Sequence, residues 1–75
     1  MTVTVTVTRD LSGPMRQRVQ VRQHVFFADE PPSNGGEDAG PTPHDLYDAA
    51  LGACKALTMV WYARRKGMSL QDMVV

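Results

Sequence analysis

The chain begins with a strict alternation of valine and threonine over residues 1–8, MTVTVTVT. Alternation with a period of two in β-branched residues is typical of a strand with one apolar face. A second alternation covers residues 16–27, and it predicts that one face carries Val19, Val21, Val25 and Phe27. A Gly-Pro dipeptide at 13–14 indicates a turn between the two alternations. Residues 1–27 are therefore predicted to form a β-hairpin or a small antiparallel sheet of three strands, with the second alternation broken or bulged.

Residues 28–42 have no periodicity and read ADEPPSNGGEDAGPT. Prolines, glycines and acidic side chains dominate this stretch, and such a composition buries too little surface to order itself. The four acids, Asp29, Glu30, Glu37 and Asp38, are interpreted as a solvated loop. Loops of this length in small domains are functional or disordered, so the pattern leaves open whether this one is a linker or a lid.

A long helix is predicted over residues 43–66. Thr42 is a suitable N-cap residue, and Pro43 is suited to the first helical position. Asp45 lies three residues after the cap and completes a capping-box arrangement. Gly67, which follows a run of basic residues, suits the left-handed conformation that often ends a helix. Residues 69–75 are expected to begin a further strand.

The predicted helix is apolar on nearly all sides, so it has to be buried on most of them. Two or three short strands cannot cover it. A chain of 75 residues with one cysteine forms no intrachain disulfide, and its two histidines have no zinc-ligand spacing. We therefore expect stability to come from a homodimer.

The charge balance narrows the classes of function. Eight basic and eight acidic side chains cancel to a net charge of zero, unlike the basic surface of a nucleic-acid-binding protein. No apolar run has the length of a membrane span, and residue 1 is not followed by the pattern of a signal peptide. The sequence favours a cytoplasmic protein without nucleic-acid or membrane partners.

Cys54 is the residue that carries candidate chemistry. A lone cysteine on an apolar helix face is most often inert packing, whereas a reactive one needs a cation to stabilise its thiolate. Cys54 lies three turns into the helix, too far for the helix terminus to act on it. The candidate cations from outside the helix are Arg9, Arg16, Arg18 and Arg22, among which Arg16, beside the predicted turn, is our first choice.

Three segments within residues 24–70 carry a family resemblance: HVFFADEP, GGEDAGPTP and HDLYDAALGACKALTMVWYARRKG. Together they resemble the amino-terminal half of the OsmC/Ohr family, in the branch with a glycine-rich loop before the long helix. The resemblance implies an intertwined α+β dimer in which a central helix packs against elements of both subunits. It also implies that the chain is an apparently truncated OsmC-like domain.

The best-known members of that family are cysteine peroxidases that reduce organic hydroperoxides in the response to oxidative stress. The resemblance implies that Cys54 is the attacking thiolate, that an arginine such as Arg16 stabilises it, and that a carboxylate such as Asp45 orients the arginine. No metal or cofactor is implied. The family's resolving cysteine is absent here, so an external thiol reductant is required. The position ten before the cysteine, a carboxylate in the family, is His44.

Other interpretations stay open at this point. Tyr47 and Trp61, one heptad either side of Cys54, together with Phe27, either wall a pocket for an apolar hydroperoxide or are plain core. Asp45 is explained by capping alone. The alternative to a peroxidase is a non-catalytic dimerisation or small-ligand-binding module in which Cys54 is merely buried. A truncated gene product without its own function is a third interpretation.

Overall fold

The structure, a computed structural model, describes residues 2–71. Three strands come first, β1 (Val5–Arg9), β2 (Gln17–Val21) and β3 (His24–Ala28). A short 3-10 helix (Pro32–Asn34) and the helix α1 (Pro43–Arg65) follow. The predicted α+β class is confirmed. The chain divides into two compact units, one ending at Asp45 and one beginning at Leu46.

The strands form an antiparallel sheet in the order β1-β2-β3, one of the two arrangements that the sequence predicts. β1 begins at Val5, later than the alternation suggests. Val5 pairs with Val21, the last residue of β2, so the residues before Val5 extend past the end of β2. The turn between these strands is organised by Asp10, whose carboxylate accepts hydrogen bonds from the backbone N–H of Ser12 at 3.0 Å and from its hydroxyl at 2.7 Å.

The second alternation is two strands, because the chain turns at Arg22 and Gln23. Arg22 has φ of 54°, in the left-handed region that tight turns between strands use. Directly opposed residues of an antiparallel pair lie on one face, so this turn restarts the alternation. Phe26 lies opposite Val19, and Phe27 lies opposite Arg18.

The predicted grouping of Val25 and Phe27 with the valines of β2 is therefore wrong. One face of the sheet holds the valines of β1 and β2, and Val19, only 8% exposed, is the most buried of them. Phe26 joins this face. The opposite face carries the side chains of Thr6, Thr8, Arg18, Gln20, Val25 and Phe27.

The loop after β3 is ordered by Asp29, contrary to the expectation of a solvated segment. Asp29 is 2% exposed, and its carboxylate accepts backbone N–H groups of Glu30, Glu37 and Ala39 at 2.8, 3.2 and 3.1 Å. Its own N–H donates to the carbonyl of Pro41 at 3.1 Å. A buried carboxylate with three donors replaces the apolar core that this composition lacks.

Both ends of α1 form as predicted from local chemistry. Thr42 Oγ1 accepts the N–H of Asp45 at 3.0 Å, and Asp45 Oδ2 accepts the N–H of Thr42 at 3.1 Å, which is a capping box. At the other end Gly67 has φ of 71°, and Met68 donates to the carbonyl of Ala63 at 2.8 Å. This is the Schellman arrangement, and it ends α1 one residue before the predicted boundary.

The large apolar side chains of α1 are exposed within the single chain. Tyr47 and Trp61 are each 64% exposed, Leu57 is 55% exposed, and Ala63 is buried. Among residues 2–71 no helix has the length and hydropathy of a membrane span. Of the strand predicted over residues 69–75, residues 69–71 are not in a strand, and the others lie outside the described residues.

Candidate functional site

The thiol of Cys54 is exposed near the middle of α1. One turn later, the hydroxyl of Thr58 donates to the carbonyl of Cys54 at 2.8 Å, the back-bond expected of a threonine inside a helix. Because the chain contains one cysteine, Cys54 is the sole position for thiol chemistry.

The guanidinium of Arg16 is held by groups from two loops of the sheet unit. Its Nη1 donates to Ser12 Oγ at 3.2 Å and lies 3.9 Å from Asp10 Oδ2. Its Nη2 lies 3.4 Å from Glu37 Oε1, on the loop that Asp29 organises. With a side chain 24% exposed, Arg16 is half-buried and fixed in direction.

One donor of Arg16 has no acceptor among the described residues. Its Nε is buried and makes no hydrogen bond within residues 2–71. The ring of Phe27 lies beneath the guanidinium, with the Arg16 Cζ atom 5.9 Å from the ring centroid. Gly13, which is buried, leaves space for this arrangement, since a Cβ there would come within 3.3 Å of Arg16 Nε. The group is therefore a positioned cation with one donor to spare.

Asp10 and Asp29, two acids near Arg16, are held in their charged form. The backbone N–H and the hydroxyl of Ser12 lower the pKa of Asp10, and the charge of Arg16 lowers it further. The backbone N–H of Ala39 is the main cause of a lowered pKa at Asp29, with smaller contributions from Glu30, Glu37 and the charge of Arg16. Two carboxylates, Asp10 and Glu37, thus pair with one guanidinium.

Sequence reasoning overlooked Glu37 and Asp29, which it assigned to solvent. Asp29 accepts the N–H of Glu37, so the buried acid sets the position of the exposed one. The available signal was the place of Asp29, directly after the last residue of a strand and before a Pro-Pro pair. An acid at a strand end is a frequent organiser of the following turn.

Asp45, predicted as an arginine partner or a cap, occupies the capping box, while the described ion pairs of Arg16 go to Asp10 and Glu37. Phe27 belongs to the sheet unit, whereas Tyr47, Trp61 and Cys54 belong to the helix unit. The predicted contact of Arg16 with Cys54, and the predicted pocket of Phe27, Tyr47 and Trp61, join residues of the two units and stay predictions.

The helix unit carries an apolar hollow of about 440 Å³ at the end of α1. Thr58 lines it, so the hollow begins one turn from Cys54. Tyr47 and Trp61 do not line it. Residues 2–71 contain no group of three histidine, cysteine, aspartate or glutamate side chains placed to hold a metal ion. The other lining residues of the hollow are Met59, Tyr62, Ala63, Met68, Ser69 and Leu70.

Comparison with protein-family models, with curated proteins and with solved structures finds no match to this chain. The fold and the geometry define a small α+β protein with a single exposed thiol and an anchored arginine.

Proposed function

We propose that the protein is a thiol-dependent peroxidase that reduces organic hydroperoxides at Cys54. The observation that carries the proposal is the state of Arg16, a half-buried guanidinium that Ser12, Asp10 and Glu37 hold in one direction. A fixed cation that stays partly exposed is the kind of group that stabilises a thiolate. The exposure of the only thiol and the resemblance around residues 52–54 add support.

The reaction proceeds in two stages. The Cys54 thiolate attacks one oxygen of the hydroperoxide, the O–O bond breaks, and the leaving alkoxide takes a proton to become an alcohol. Cys54 is then a sulfenic acid, oxidised by two electrons. An external thiol condenses with the sulfenic acid, which releases water, and a second external thiol regenerates Cys54 while the two reductant molecules become a disulfide.

Arg16 has two tasks in this proposal. Its positive charge stabilises the Cys54 thiolate, and its donors stabilise the negative charge that develops on the leaving oxygen. Asp10 and Glu37 hold the guanidinium from the side of the sheet unit. Asp45 contributes by starting α1 at a defined residue.

We infer that the active form is a homodimer. The exposed apolar side chains of α1, including those of Tyr47, Leu57 and Trp61, need a cover that a second chain supplies. The substrate's apolar part has two candidate positions, the predicted pocket of Phe27, Tyr47 and Trp61, and the hollow beside Thr58. Solvent-exposed thiols of this kind belong to a reducing, cytoplasmic setting.

The experiment measures the rate of Cys54 alkylation against pH in the intact chain. A peroxidatic thiol reacts at half its maximal rate near pH 7 or below, whereas an ordinary cysteine does so at about pH 8.5. Because Cys54 is the only thiol, the profile belongs to one group. Treatment with an alkyl hydroperoxide then adds one oxygen atom to the wild type, as seen by mass spectrometry, and none at residue 54 in Cys54→Ser.

Arg16→Gln is expected to return the profile to that of an ordinary cysteine. Arg18→Gln is the matched control, since Arg18 lies on the same sheet and bonds to Gln20 instead of a carboxylate. A wild-type thiol that reacts only as a free cysteine does would contradict the peroxidase. A lowered midpoint that Arg16→Gln leaves unchanged would retain the peroxidase and remove Arg16 from it.

The second candidate is a non-catalytic dimerisation or small-ligand-binding module. The apolar hollow and the exposed apolar surface of α1 favour it, since neither needs a reactive thiol. In this case Cys54→Ser retains dimer formation and ligand binding unchanged, and hydroperoxide adds no oxygen at residue 54 of the wild type.

A further inference from the structure

β1 is an edge strand whose residues 5–8 lack the charges and prolines that usually protect an edge. It pairs with β2 on one side, and all five of its residues are exposed. Natural edges are protected by charges, prolines, bulges or a covering segment. Residues 2–8 contain neither a charge nor a proline, and Arg9 is the first charged residue of the chain.

The opposite edge of the sheet is covered at its end. Asp29, directly after β3, donates its N–H to the carbonyl of Pro41, and Gly40 approaches so closely that a Cβ there would collide with the carbonyl oxygen of Phe27. The loop therefore covers the β3 edge near Phe27 and Ala28, whereas every residue of β1 is exposed.

The sequence of the open edge is complementary to itself. Residues 2–8 read TVTVTVT and are symmetric about Val5. In an antiparallel pair of two such segments with Val5 opposite Val5, every valine faces a valine and every threonine faces a threonine. Thr–Thr and β-branched pairs of this kind stabilise neighbouring strands, and a self-complementary patch is what a two-fold interface requires.

Residues 2–4 extend the same pattern beyond the strand. β2 ends at Val21, opposite Val5, so its ladder provides no partner for residues 2–4. In the symmetric pair these residues lie opposite residues 6–8 of the second copy, which lengthens the ladder from five residues to the seven of the TVTVTVT segment.

We propose that β1 pairs with β1 of a second copy, antiparallel and centred on Val5, and joins two three-stranded sheets into one. This interface is independent of the peroxidase and of the helix surface. It closes on itself, because both copies use the same β1 edge and no second β1 edge is left to bind a third copy.

The test uses Val5→Cys in a Cys54→Ser background, with Leu11→Cys in that background as the control. In the proposed pair, residue 5 of one copy lies opposite residue 5 of the other across the two-fold axis. The two residues are then within the distance that a disulfide spans. Leu11, 81% exposed in the turn, reports random collision. Under mild oxidation Val5→Cys is expected to form the linked dimer about tenfold faster than Leu11→Cys, since the reaction occurs within a formed pair.

Two charge variants test the register. Residue 4 of one copy faces residue 6 of the other, so Thr4→Lys with Thr6→Lys places like charges opposite each other, whereas Thr4→Lys with Thr6→Glu places opposite charges there. In the Val5→Cys background the first variant is expected to form the linked dimer about tenfold more slowly. The second variant is expected to leave that rate unchanged.

Three results overturn the proposal. The first is a Val5→Cys variant that forms the linked dimer no faster than Leu11→Cys does. A dimer formed through another surface would give this result. The second is an equal effect of the two charge variants. The third is light scattering that shows a monomer at every protein concentration.

Discussion

Asp29 and Asp38 are two acids of one loop with different surroundings. Asp29 is 2% exposed and accepts three backbone N–H groups, whereas Asp38 is exposed and has φ of 55°, a conformation that asparagine also adopts. The carboxylate of Asp29 organises the segment that carries Glu37. A single side chain therefore connects loop order to the position of Arg16.

We predict that Asp29→Asn lowers the urea concentration at the midpoint of unfolding, because an amide offers one oxygen where the carboxylate offers two. Asp38→Asn is the matched control and leaves the midpoint unchanged or raises it slightly. Equal midpoints for the two variants would contradict the role of Asp29 as the organiser of the loop.

The same residue predicts how stability depends on pH. The pKa of Asp29 in the folded chain lies below its usual value of 3.8, so its contribution is fully present above that value and is lost as the pH falls through the folded-state pKa. The pKa of Asp10 is lowered too. As the pH drops below about 4, we expect the urea concentration at the unfolding midpoint of the wild type to decrease. The midpoint of Asp29→Asn is expected to decrease less. A parallel fall in both would show that other groups control the acid transition.

At the scale of elements, the helix boundaries follow from neighbouring residues and the strand faces do not. The N-cap at Thr42 and the left-handed Gly67 are recognisable from a few letters of sequence. The assignment of Phe27 failed because the two-residue turn at Arg22 and Gln23 restarts the alternation. A turn within a continuous alternation, with neither glycine nor proline, has little local signal.

We predict that Thr42→Ala lowers the free energy of unfolding by about 1 kcal/mol, the usual cost of losing an N-cap side chain. The variant is also expected to have a weaker helix signal in far-ultraviolet circular dichroism. Ser33→Ala is the control, since Ser33 is exposed and makes no capping hydrogen bond in its 3-10 helix. A change of equal size in both variants would argue against the capping box as the cause.

At the scale of the whole molecule, the question is what covers the apolar surface of α1. Trp61 is the only tryptophan and is 64% exposed in the single chain, so its fluorescence reports on that surface without a label. In the proposed helix-mediated dimer this indole is buried. Pairing through β1 uses residues of the sheet unit, and the linking of Val5→Cys tests it separately.

We predict that Trp61 emission shifts to shorter wavelength as protein concentration rises, in step with the mass measured by sedimentation. Cys54→Ser is expected to behave as the wild type does, since the thiol is not needed for the contact. A dimer by mass with unchanged Trp61 emission would place the interface elsewhere, and a monomer at all concentrations would remove the helix-mediated dimer.

The sequence by itself determined the features that depend on residues a few positions apart. These are the β-strand at the start of the chain, the turn before β2, the span of α1 and both of its ends. Each rests on a local hydrogen bond or a short period, so the side-chain types that form it are adjacent in the printed sequence.

Only the tertiary structure decided which distant groups meet. Arg16 and Glu37 are 21 positions apart, and Asp29 reaches the N–H of Ala39 ten positions later. These contacts depend on the register of the strands and on the path of the loop. The contacts of Asp29 leave no periodicity in the sequence, because hydrogen bonds of a carboxylate to backbone N–H groups place no demand on the side chains of the donors.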